Sequence, residues 1–236
     1  LCQWRNALGC PTQKINSMLS LIACRNPSQI LLLGAHSDDI EIGCGATILK
    51  LLAQYPQCEF VWVVFCSNQA RADEARASAA AFLDGAGHVD IRILSFRDGF
   101  LPWSGIEAKE AFETLKIETA PDLIFTHTKG DQHQDHRTLS ELTWNTWRDH
   151  CILEYEIPKY DGDLGQPNCY ISVNHSQSDA KISYLMHHFS SQSKKHWFSP
   201  ETFRALLRLR GIECGVEMAE AFHFRKQLLF EEAVQS

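Results

Sequence analysis

The sequence predicts a single α/β domain built on a mostly parallel β-sheet with helices on both faces. Apolar segments rich in β-type residues alternate with helical segments from residue 29 to residue 127, and this alternation is typical of βαβ units with parallel strands. The run Phe60-Val61-Trp62-Val63-Val64-Phe65 is apolar throughout, as expected for a strand that is covered on both sides. A length of 236 residues is common for one α/β domain.

The elements can be placed in order along the chain. The first helix has a plausible start, because Ser37, Asp38 or Asp39 can accept hydrogen bonds from the free amides of its first turn. Residues 1–28 are expected to form an N-terminal helix or arm, and residues 29–236 the domain. Strands are expected at 29–35, 59–66, 89–95, 122–127, 152–155, 169–173 and 219–226, and helices at 43–55, 71–83, 107–118, 138–147, 178–190 and 200–210. This order predicts a Rossmann-like fold.

Composition limits the classes of partner. The formal net charge is -7 without a long run of lysine and arginine, so the clustered cations that bind nucleic acids or anionic membranes are missing. No apolar run approaches the roughly 20 residues of a membrane helix. Nine cysteines without C-x-x-C spacing favour a reducing compartment. We expect a cytoplasmic protein with a small-molecule ligand, no nucleic-acid partner and no membrane insertion; homo-oligomer formation and what precedes Leu1 stay open.

Two polar clusters follow strand candidates. Ala35-His36-Ser37-Asp38-Asp39 comes directly after the apolar run Ile30 to Leu33, and His133-Gln134-Asp135-His136 follows the strand candidate Leu123 to Thr126. The carboxyl ends of parallel strands meet at one edge of the sheet, where ligands bind. Zinc enzymes hold the metal with three His, Asp, Glu or Cys side chains and leave a fourth position for water. The two clusters therefore predict a catalytic metal site.

Candidate ligands can be named within these clusters. His36 and Asp39 are spaced so that both can point into one pocket, and His136 or His133 would complete the set. Asp38, between the first two, could reach a bound water without binding the metal. The metal is expected to be Zn²⁺, with Fe²⁺ or another divalent ion open because ligand type selects weakly. The structural alternative is that these acids cap a helix and the histidines are hydrogen-bonded at strand ends.

Other cofactor patterns fit poorly. Gly43-Cys44-Gly45 lacks the third glycine of a dinucleotide-binding turn, and acidic residues stand where a pyrophosphate would meet helix amides. The P-C-x-x-C of zinc deaminases does not follow the first cluster.

The two clusters resemble the motifs of the PIG-L/LmbE-like family of zinc-dependent N-deacetylases. That family carries an A-H-P-D-D-E-type motif after its first strand and an H-x-D-H motif after a later one, and this chain has A-H-S-D-D-I-E-I-G-C-G and H-Q-D-H in the same order. The similarity covers roughly residues 29–226. It includes Arg71, Glu74, Asp98-Gly99-Phe100-Leu101-Pro102 and Ala219-Glu220-Ala221-Phe222.

The resemblance implies roles for the first motif and for the last histidine of the second. His36, Asp39 and His136 would hold zinc, and Asp38 would be the general base that takes a proton from the attacking zinc-bound water. Two positions depart from the family pattern. Ser37 replaces the usual proline, and Ile40 displaces the following acid to Glu41, whose role stays open.

The resemblance also implies roles for residues around that centre. His133 would polarise the substrate carbonyl and stabilise the oxyanion, and Asp135 would orient a neighbouring histidine. Arg71 and Asp98 would bind sugar hydroxyls, although a helix-start salt bridge or a turn cap is an equal alternative for them.

The implied activity is hydrolysis of the acetamide of an N-acetylated amino sugar, of the N-acetylglucosamine type or a glycoside containing one. The products would be acetate and a free amine. Two alternatives stay open: a zinc hydrolase of another acyl amide in a natural product, and a non-catalytic sugar-binding protein on the same fold.

Overall fold

A computed structural model describes residues 26–227 of the chain. The predicted N-terminal helix or arm lies outside these residues except for its last three positions. Within these residues, seven strands form one sheet, in the order β3-β2-β1-β4-β5-β7-β6. They are β1 (Gln29–Gly34), β2 (Glu59–Cys66), β3 (His88–Phe96), β4 (Leu123–His127), β5 (Cys151–Tyr155), β6 (Cys169–Ser172) and β7 (Ala219–His223).

The sheet is mostly parallel, as predicted. Each neighbouring pair among β1 to β5 is parallel, and only β7 runs antiparallel, between β5 and β6. Because β1 pairs with both β2 and β4, the strand order reverses direction at β1. Such a reversal opens a crevice at the carboxyl ends of the two central strands, which is where open α/β sheets bind ligands. The predicted α/β, Rossmann-like fold is confirmed.

In the described part of the chain, six α-helices connect and cover the strands. Helix residues such as Phe82 and Leu185 pack in the larger apolar cluster on one face of the sheet, whereas Phe112 and Leu139 pack on the opposite face. Helices on both faces explain why β2 is apolar throughout. The helices are α1 (Asp39–Gln54), α2 (Gln69–Phe82), α3 (Gly105–Glu118), α4 (Gln134–Thr146), α5 (His175–His188) and α6 (Pro200–Glu213).

Two helices begin four residues earlier than predicted, a larger difference than for the other helices of residues 26–227, and both carry the polar motifs. α1 begins at Asp39 instead of residue 43, and α4 begins at Gln134 instead of residue 138. Helical periodicity is hidden there because polar side chains occupy positions where a helix normally presents apolar residues to the core. The early starts place Asp39 and His136 in first helical turns, beside the crevice.

The helix-capping alternative fails for the first motif. Asp38 is the N-cap residue of α1 but its side chain makes no capping hydrogen bond, and the buried Ser37 hydroxyl has no hydrogen-bond partner within residues 26–227. The carboxylate of Asp39 instead accepts a hydrogen bond from the backbone N–H of His36 at 2.6 Å. Helix initiation therefore does not account for both acids.

The Gly43-Cys44-Gly45 segment is a break in α1. Cys44 has non-helical angles, with φ -143° and ψ 19°, and a Cβ on Gly43 would lie 2.2 Å from the Tyr155 ring. The amides of Ala46 and Thr47 after the break donate to the Glu220 carboxylate at 3.0 and 2.6 Å. A Cβ on Gly45 would lie 2.8 Å from Phe82, so close packing on β5 and on α2 explains these glycines.

None of the helices within residues 26–227 has the length and apolar character needed to cross a bilayer.

Candidate active site

The two polar motifs meet at the crevice between β1 and β4. His36 follows β1, and His133 and His136 stand at the start of α4, which follows β4. Together they line an open cleft of about 610 Å³. Its wall consists of His36, Asp38, Asp39, Arg71, Asp98, His133, His136, Ile157, Lys159, Tyr160, Asp161, Lys195 and Trp197.

Three side-chain atoms form a small triangle at the base of this cleft. The Nδ1 atom of His36 lies 3.0 Å from Nε2 of His136 and 3.3 Å from Oδ2 of Asp39. The third side, from His136 Nε2 to Asp39 Oδ2, is 3.4 Å. Ligand atoms of a tetrahedral zinc site, with bonds of about 2.0–2.2 Å, lie about 3.3–3.6 Å apart. The triangle therefore has nearly the dimensions of three zinc ligands.

In His36 and His136, the outer ring nitrogen, which is not part of the triangle, faces a carboxylate. Nε2 of His36 lies 3.2 Å from Oδ2 of Asp135, and Nδ1 of His136 lies 2.9 Å from Oδ2 of Asp131. Backbone amides of Gly99 and Leu101 donate to Asp135 at 2.7 and 3.1 Å, which holds this carboxylate in place. Carboxylates that accept the outer N–H of histidines are the usual support of metal ligands.

This support leaves the inner nitrogens of the triangle with their lone pairs. If His36 and His136 donate outward to carboxylates, their inner nitrogens are acceptors only. Two nitrogen lone pairs and a carboxylate oxygen then face one point, and this is favourable only with a cation or a proton between them. The donor set thus fits a divalent metal ion.

Neighbouring donors could form other ligand sets from the same cluster. Within residues 26–227, His133 lies close enough to His36 and His136 to form a triad with them, and His127 does so with Asp39 and His136. However, Nε2 of His127 lies 3.1 Å from the backbone N–H of Ala35, which donates to it, so its lone pair is already used. His36 therefore fits the third ligand position better than His127.

Electrostatics hold the Asp39 carboxylate ionised. Burial on its own raises the pKa of Asp39, but His136, His127 and His36 outweigh this and lower it well below its ordinary value. The pKa of the fully buried His127 is lowered to about 4, first by burial and then by the charge of His136. His127 is therefore neutral near pH 7.

Asp38 stands beside the triangle and outside it. One of its oxygens, Oδ1, accepts a hydrogen bond from the Arg71 guanidinium at 2.5 Å. The pKa of Asp38 is raised, because burial favours the neutral acid more than Arg71 favours the anion. A buried carboxylate whose pKa is raised is suited to take up a proton and return it.

His133 is oriented by the start of α4. It is the N-cap residue, and its Nδ1 accepts a hydrogen bond from the backbone N–H of Asp135 at 3.2 Å. This contact places the remaining proton of a neutral imidazole on Nε2. Its ring lies edge-on to that of His36, with 4.8 Å between centroids.

Arg71 and Asp98 line the same cleft. Asp98 Oδ1 lies 3.1 Å from His36 Nε2, and 58% of its side chain is exposed. Its Oδ2 lies 3.7 Å from the guanidinium of Arg71. The neighbouring His36 holds the pKa of Asp98 down at about 2, so that Asp98 is an ionised acceptor at the cleft wall.

Comparison with known proteins agrees with this geometry. A family model described as PIG-L, GlcNAc-PI de-N-acetylase, matches residues 31–147, a stretch that contains both motifs. Residues 31–147 of the chain belong to the PIG-L family. Family membership confirms the predicted enzyme class, a hydrolytic N-deacetylase.

Solved structures share the fold at low sequence identity. The N,N'-diacetylchitobiose deacetylase of Pyrococcus horikoshii is similar with a TM-score of 0.68 and 21% identity, over 89% of this chain and 91% of that chain. The 4-carboxy-2-hydroxymuconate hydratase GalB of Pseudomonas putida is similar with a TM-score of 0.66 and 14% identity, over 88% of this chain and 100% of that chain. Because one is a deacetylase and the other a hydratase, the shared fold alone does not decide the reaction.

Some residues of this PIG-L site carry no clear signal in the sequence. Asp131 contacts His136 and His127 contacts Asp39, although neither residue belongs to the two motifs. Trp197 and Asp161 line the cleft from segments that follow the second motif in the sequence. Only the tertiary structure brings the segment 195–197 to the site, about 60 residues after the second motif.

Proposed function

We propose that the chain is a zinc-dependent N-deacetylase that removes the acetyl group of an N-acetylated amino sugar, of the N-acetylglucosamine type or a glycoside containing one. The products are acetate and a free amine. The observation that carries this proposal is the triangle of His36 Nδ1, Asp39 Oδ2 and His136 Nε2, beside an acid and a histidine that are not part of it. Membership in the PIG-L family supports the sugar substrate.

His36, Asp39 and His136 would hold the metal. Zinc at such ligands lowers the pKa of water to about 7 and polarises carbonyl oxygens as a Lewis acid. The outward hydrogen bonds to Asp135 and Asp131 keep both imidazoles turned toward the ion.

Asp38 is the general base in this proposal. Its carboxylate takes a proton from the water that attacks the acetamide carbon, and in its protonated form it gives that proton to the departing amine. Its raised pKa favours retention of the proton between these steps, while the 2.5 Å contact with Arg71 fixes its orientation. General acid–base catalysis of this kind contributes about 10²–10⁴-fold in rate.

His133 stabilises the developing negative charge on the carbonyl oxygen. Its Nδ1 is occupied by the Asp135 amide, so its Nε2–H is the donor available to a substrate. A fixed donor aimed at a developing oxyanion lowers the barrier because it needs no reorganisation during the reaction.

The cleft wall would bind the sugar. Asp98 and Asp161 offer carboxylate oxygens to hydroxyl groups, and Arg71 offers the guanidinium edge that Asp38 does not use. Trp197, which is partly buried in the wall, provides a flat apolar surface for the C–H face of a pyranose ring.

The test is acetate release from N-acetylglucosamine and its methyl glycoside by zinc-loaded protein, with metal content measured in parallel. We expect one zinc per chain, acetate and amine in equal amounts, and loss of both metal and turnover in H136A. His187 is exposed and outside the cleft, so H187A is the matched control and should keep both. Release of acetate only from N-acetylated compounds that are not amino sugars would contradict the sugar assignment. Unchanged zinc content in H136A would remove His136 from the ligands.

A further inference from the structure

One wall of the cleft comes from a loop that lies outside the two motifs. This loop, residues 189–199, connects α5 to α6 and contributes Trp197 to the cleft. In the proposed function the Trp197 ring binds the sugar. Because loops are more mobile than the helices and strands that they connect, a binding surface on this loop needs support from the rest of the protein.

The support comes from a carboxylate on α2. Glu74 accepts three hydrogen bonds from the start of the α5–α6 loop. Its Oε1 accepts from the hydroxyl of Ser190 at 3.0 Å and from the backbone N–H of Ser191 at 3.0 Å. Its Oε2 accepts from the hydroxyl of Ser191 at 2.6 Å. Both carboxylate oxygens of Glu74 are therefore used to hold this loop.

Successive tight turns connect this anchor to the cleft wall. The buried Gln192 side chain donates to the Ser191 hydroxyl at 3.0 Å. The backbone N–H of Lys195 donates to the Gln192 carbonyl at 2.9 Å, and that of Phe198 donates to the Lys195 carbonyl at 3.0 Å. Phe198 is buried in the main apolar cluster, and Trp197 packs against the same cluster. The position of Ser191 is thus passed along the backbone to Trp197.

The same helix also holds the proposed general base. Arg71, three residues before Glu74 on α2, donates to Oδ1 of Asp38 at 2.5 Å. Residues three apart lie on the same side of a helix. α2 therefore fixes the reacting carboxylate through Arg71 and the sugar-binding wall through Glu74. A substrate that is bound at one wall must meet the base at the correct distance, and small errors in such placement reduce the rate.

We propose that Glu74 is a positioning residue, which sets the place of Trp197 relative to Asp38 through the α5–α6 loop. This inference rests on the proposed function, which assigns the sugar contact to Trp197. Glu74 does not line the cleft, so it acts on the substrate only through the loop. Its loss is expected to weaken substrate binding and to raise KM, with little effect on kcat.

The first experiment tests the support of the loop without any substrate. Lys194 and Lys195 are exposed in the loop, and trypsin cleaves after lysine when a segment opens locally. In zinc-loaded E74A, cleavage at these two positions should be faster by about tenfold, because several hydrogen bonds that oppose opening are lost. Mass spectrometry of the fragments over time measures the rate. An unchanged rate would overturn the proposal.

Two further variants on α2 control this experiment. The exposed Asp73 contacts Gln69 at 3.1 Å and Arg76 at 3.7 Å on its own helix, so D73N removes a neighbouring charge and should be cleaved as wild type is. E74Q keeps an acceptor for the Ser191 amide and adds a donor for a serine hydroxyl, so it should restore much of the protection. Equally fast cleavage in D73N would show a general loosening of α2 and overturn the role of Glu74.

A variant on the loop side keeps the test valid if E74A does not fold. S191A removes the hydroxyl that donates to Oε2 of Glu74 and leaves the backbone hydrogen bond. It should increase cleavage at the two lysines less than E74A does, and in the same direction. Cleavage of S191A at the wild-type rate, together with a wild-type KM, would overturn the proposal.

The second experiment measures acetate release from the methyl glycoside of N-acetylglucosamine. E74A should raise KM by about tenfold and keep kcat within about twofold, with zinc content unchanged and with E74Q close to wild type. W197A should raise KM as well. Since Glu74 acts through Trp197, E74A/W197A should have the KM of W197A; residues that act as a unit are not additive.

The outcomes separate this inference from the proposed function. Additive effects in the double variant, or a loss in E74A that lies in kcat alone, would overturn the positioning role. An unchanged KM in W197A would also overturn it while leaving the deacetylase proposal intact. Absence of acetate release from wild type would contradict the proposed function, and the trypsin experiment would still decide whether Glu74 holds the loop.

Discussion

Two groups of buried charged side chains contact α1, and they are stabilised in different ways. Beside the break in α1, Lys181 donates to Glu220 at 2.5 Å and to the Ile42 carbonyl at 2.6 Å. Lys181 and Glu220 are thus buried partners of opposite sign. At the start of α1, the carboxylate of Asp39 and the inner nitrogens of His36 and His136 converge within 3.0–3.4 Å, and no lysine or arginine within residues 26–227 forms a direct ion pair with Asp39.

The difference separates a structural site from a functional one. A buried ion pair whose donors and acceptors are satisfied needs nothing from outside, although its net stabilisation is small relative to apolar packing. Two imidazole nitrogens and a carboxylate oxygen that converge in a low-dielectric interior need a proton or a cation between them, and a metal ion can meet this need at the triangle. Substitution of one residue at a time in each group tests this distinction.

The largest effect is expected from Asp38. Replacement by asparagine preserves size and an oxygen that accepts from Arg71, but removes the proton acceptor. D38N should lose about 10²–10⁴-fold in kcat and keep its metal, as measured by acetate release and metal content. Turnover close to that of wild type would exclude Asp38 as the base.

The structural pair should respond in stability instead of activity. K181M leaves the Glu220 carboxylate buried without its cation, and breaking such a pair costs about 3–5 kcal/mol in the free energy of unfolding. Denaturant unfolding measures this loss. The double variant K181M/E220Q should recover much of it, because no uncompensated charge remains. A drop in zinc content of folded K181M would show that the two regions are not independent.

Removal of the metal from the triangle should lower the thermal stability of the protein. A ligand that binds only the folded state stabilises it by about 2.7 kcal/mol at a free concentration of 100 times Kd. Addition of a chelator should therefore lower the midpoint temperature of wild type, measured by differential scanning calorimetry. In H136A, chelation should change the midpoint little; an equal decrease in both proteins would mean that the stabilising ion is bound elsewhere.

A smaller effect is expected from the carboxylate behind His136. Burial acts to raise the pKa of Asp131, but the contact with His136 outweighs it and holds the pKa well below its ordinary range, so Asp131 is ionised. D131N should weaken zinc binding by about 10–100-fold, measured by competition with a chromogenic chelator. Asp163 contacts the same Lys159 at 2.5 Å but no histidine of the triangle, so D163N is the control and should bind zinc as wild type does.

The fold and the centre of the site were predictable for the same reason: both depend on local patterns. Apolar strands followed by polar residues at their carboxyl ends place His36 and His136 at one sheet edge without knowledge of the full topology. The start of α4 was predicted four residues late, because Asp135 and His136 interrupt the apolar periodicity there. Lys195 and Trp197 could not be placed, since only the packing of α5 and of its following loop brings them to the cleft.

The central claim is most directly tested by a crystal structure of the zinc-loaded protein, with anomalous diffraction at the zinc edge. The account predicts one ion within about 2.0–2.2 Å of His36 Nδ1, Asp39 Oδ2 and His136 Nε2, with Asp38 and His133 facing it and not bound to it. An ion held by Asp39, His127 and His136, or by His36, His133 and His136, would contradict the proposed ligand set, and the absence of any ion from the cleft would contradict the metal centre itself.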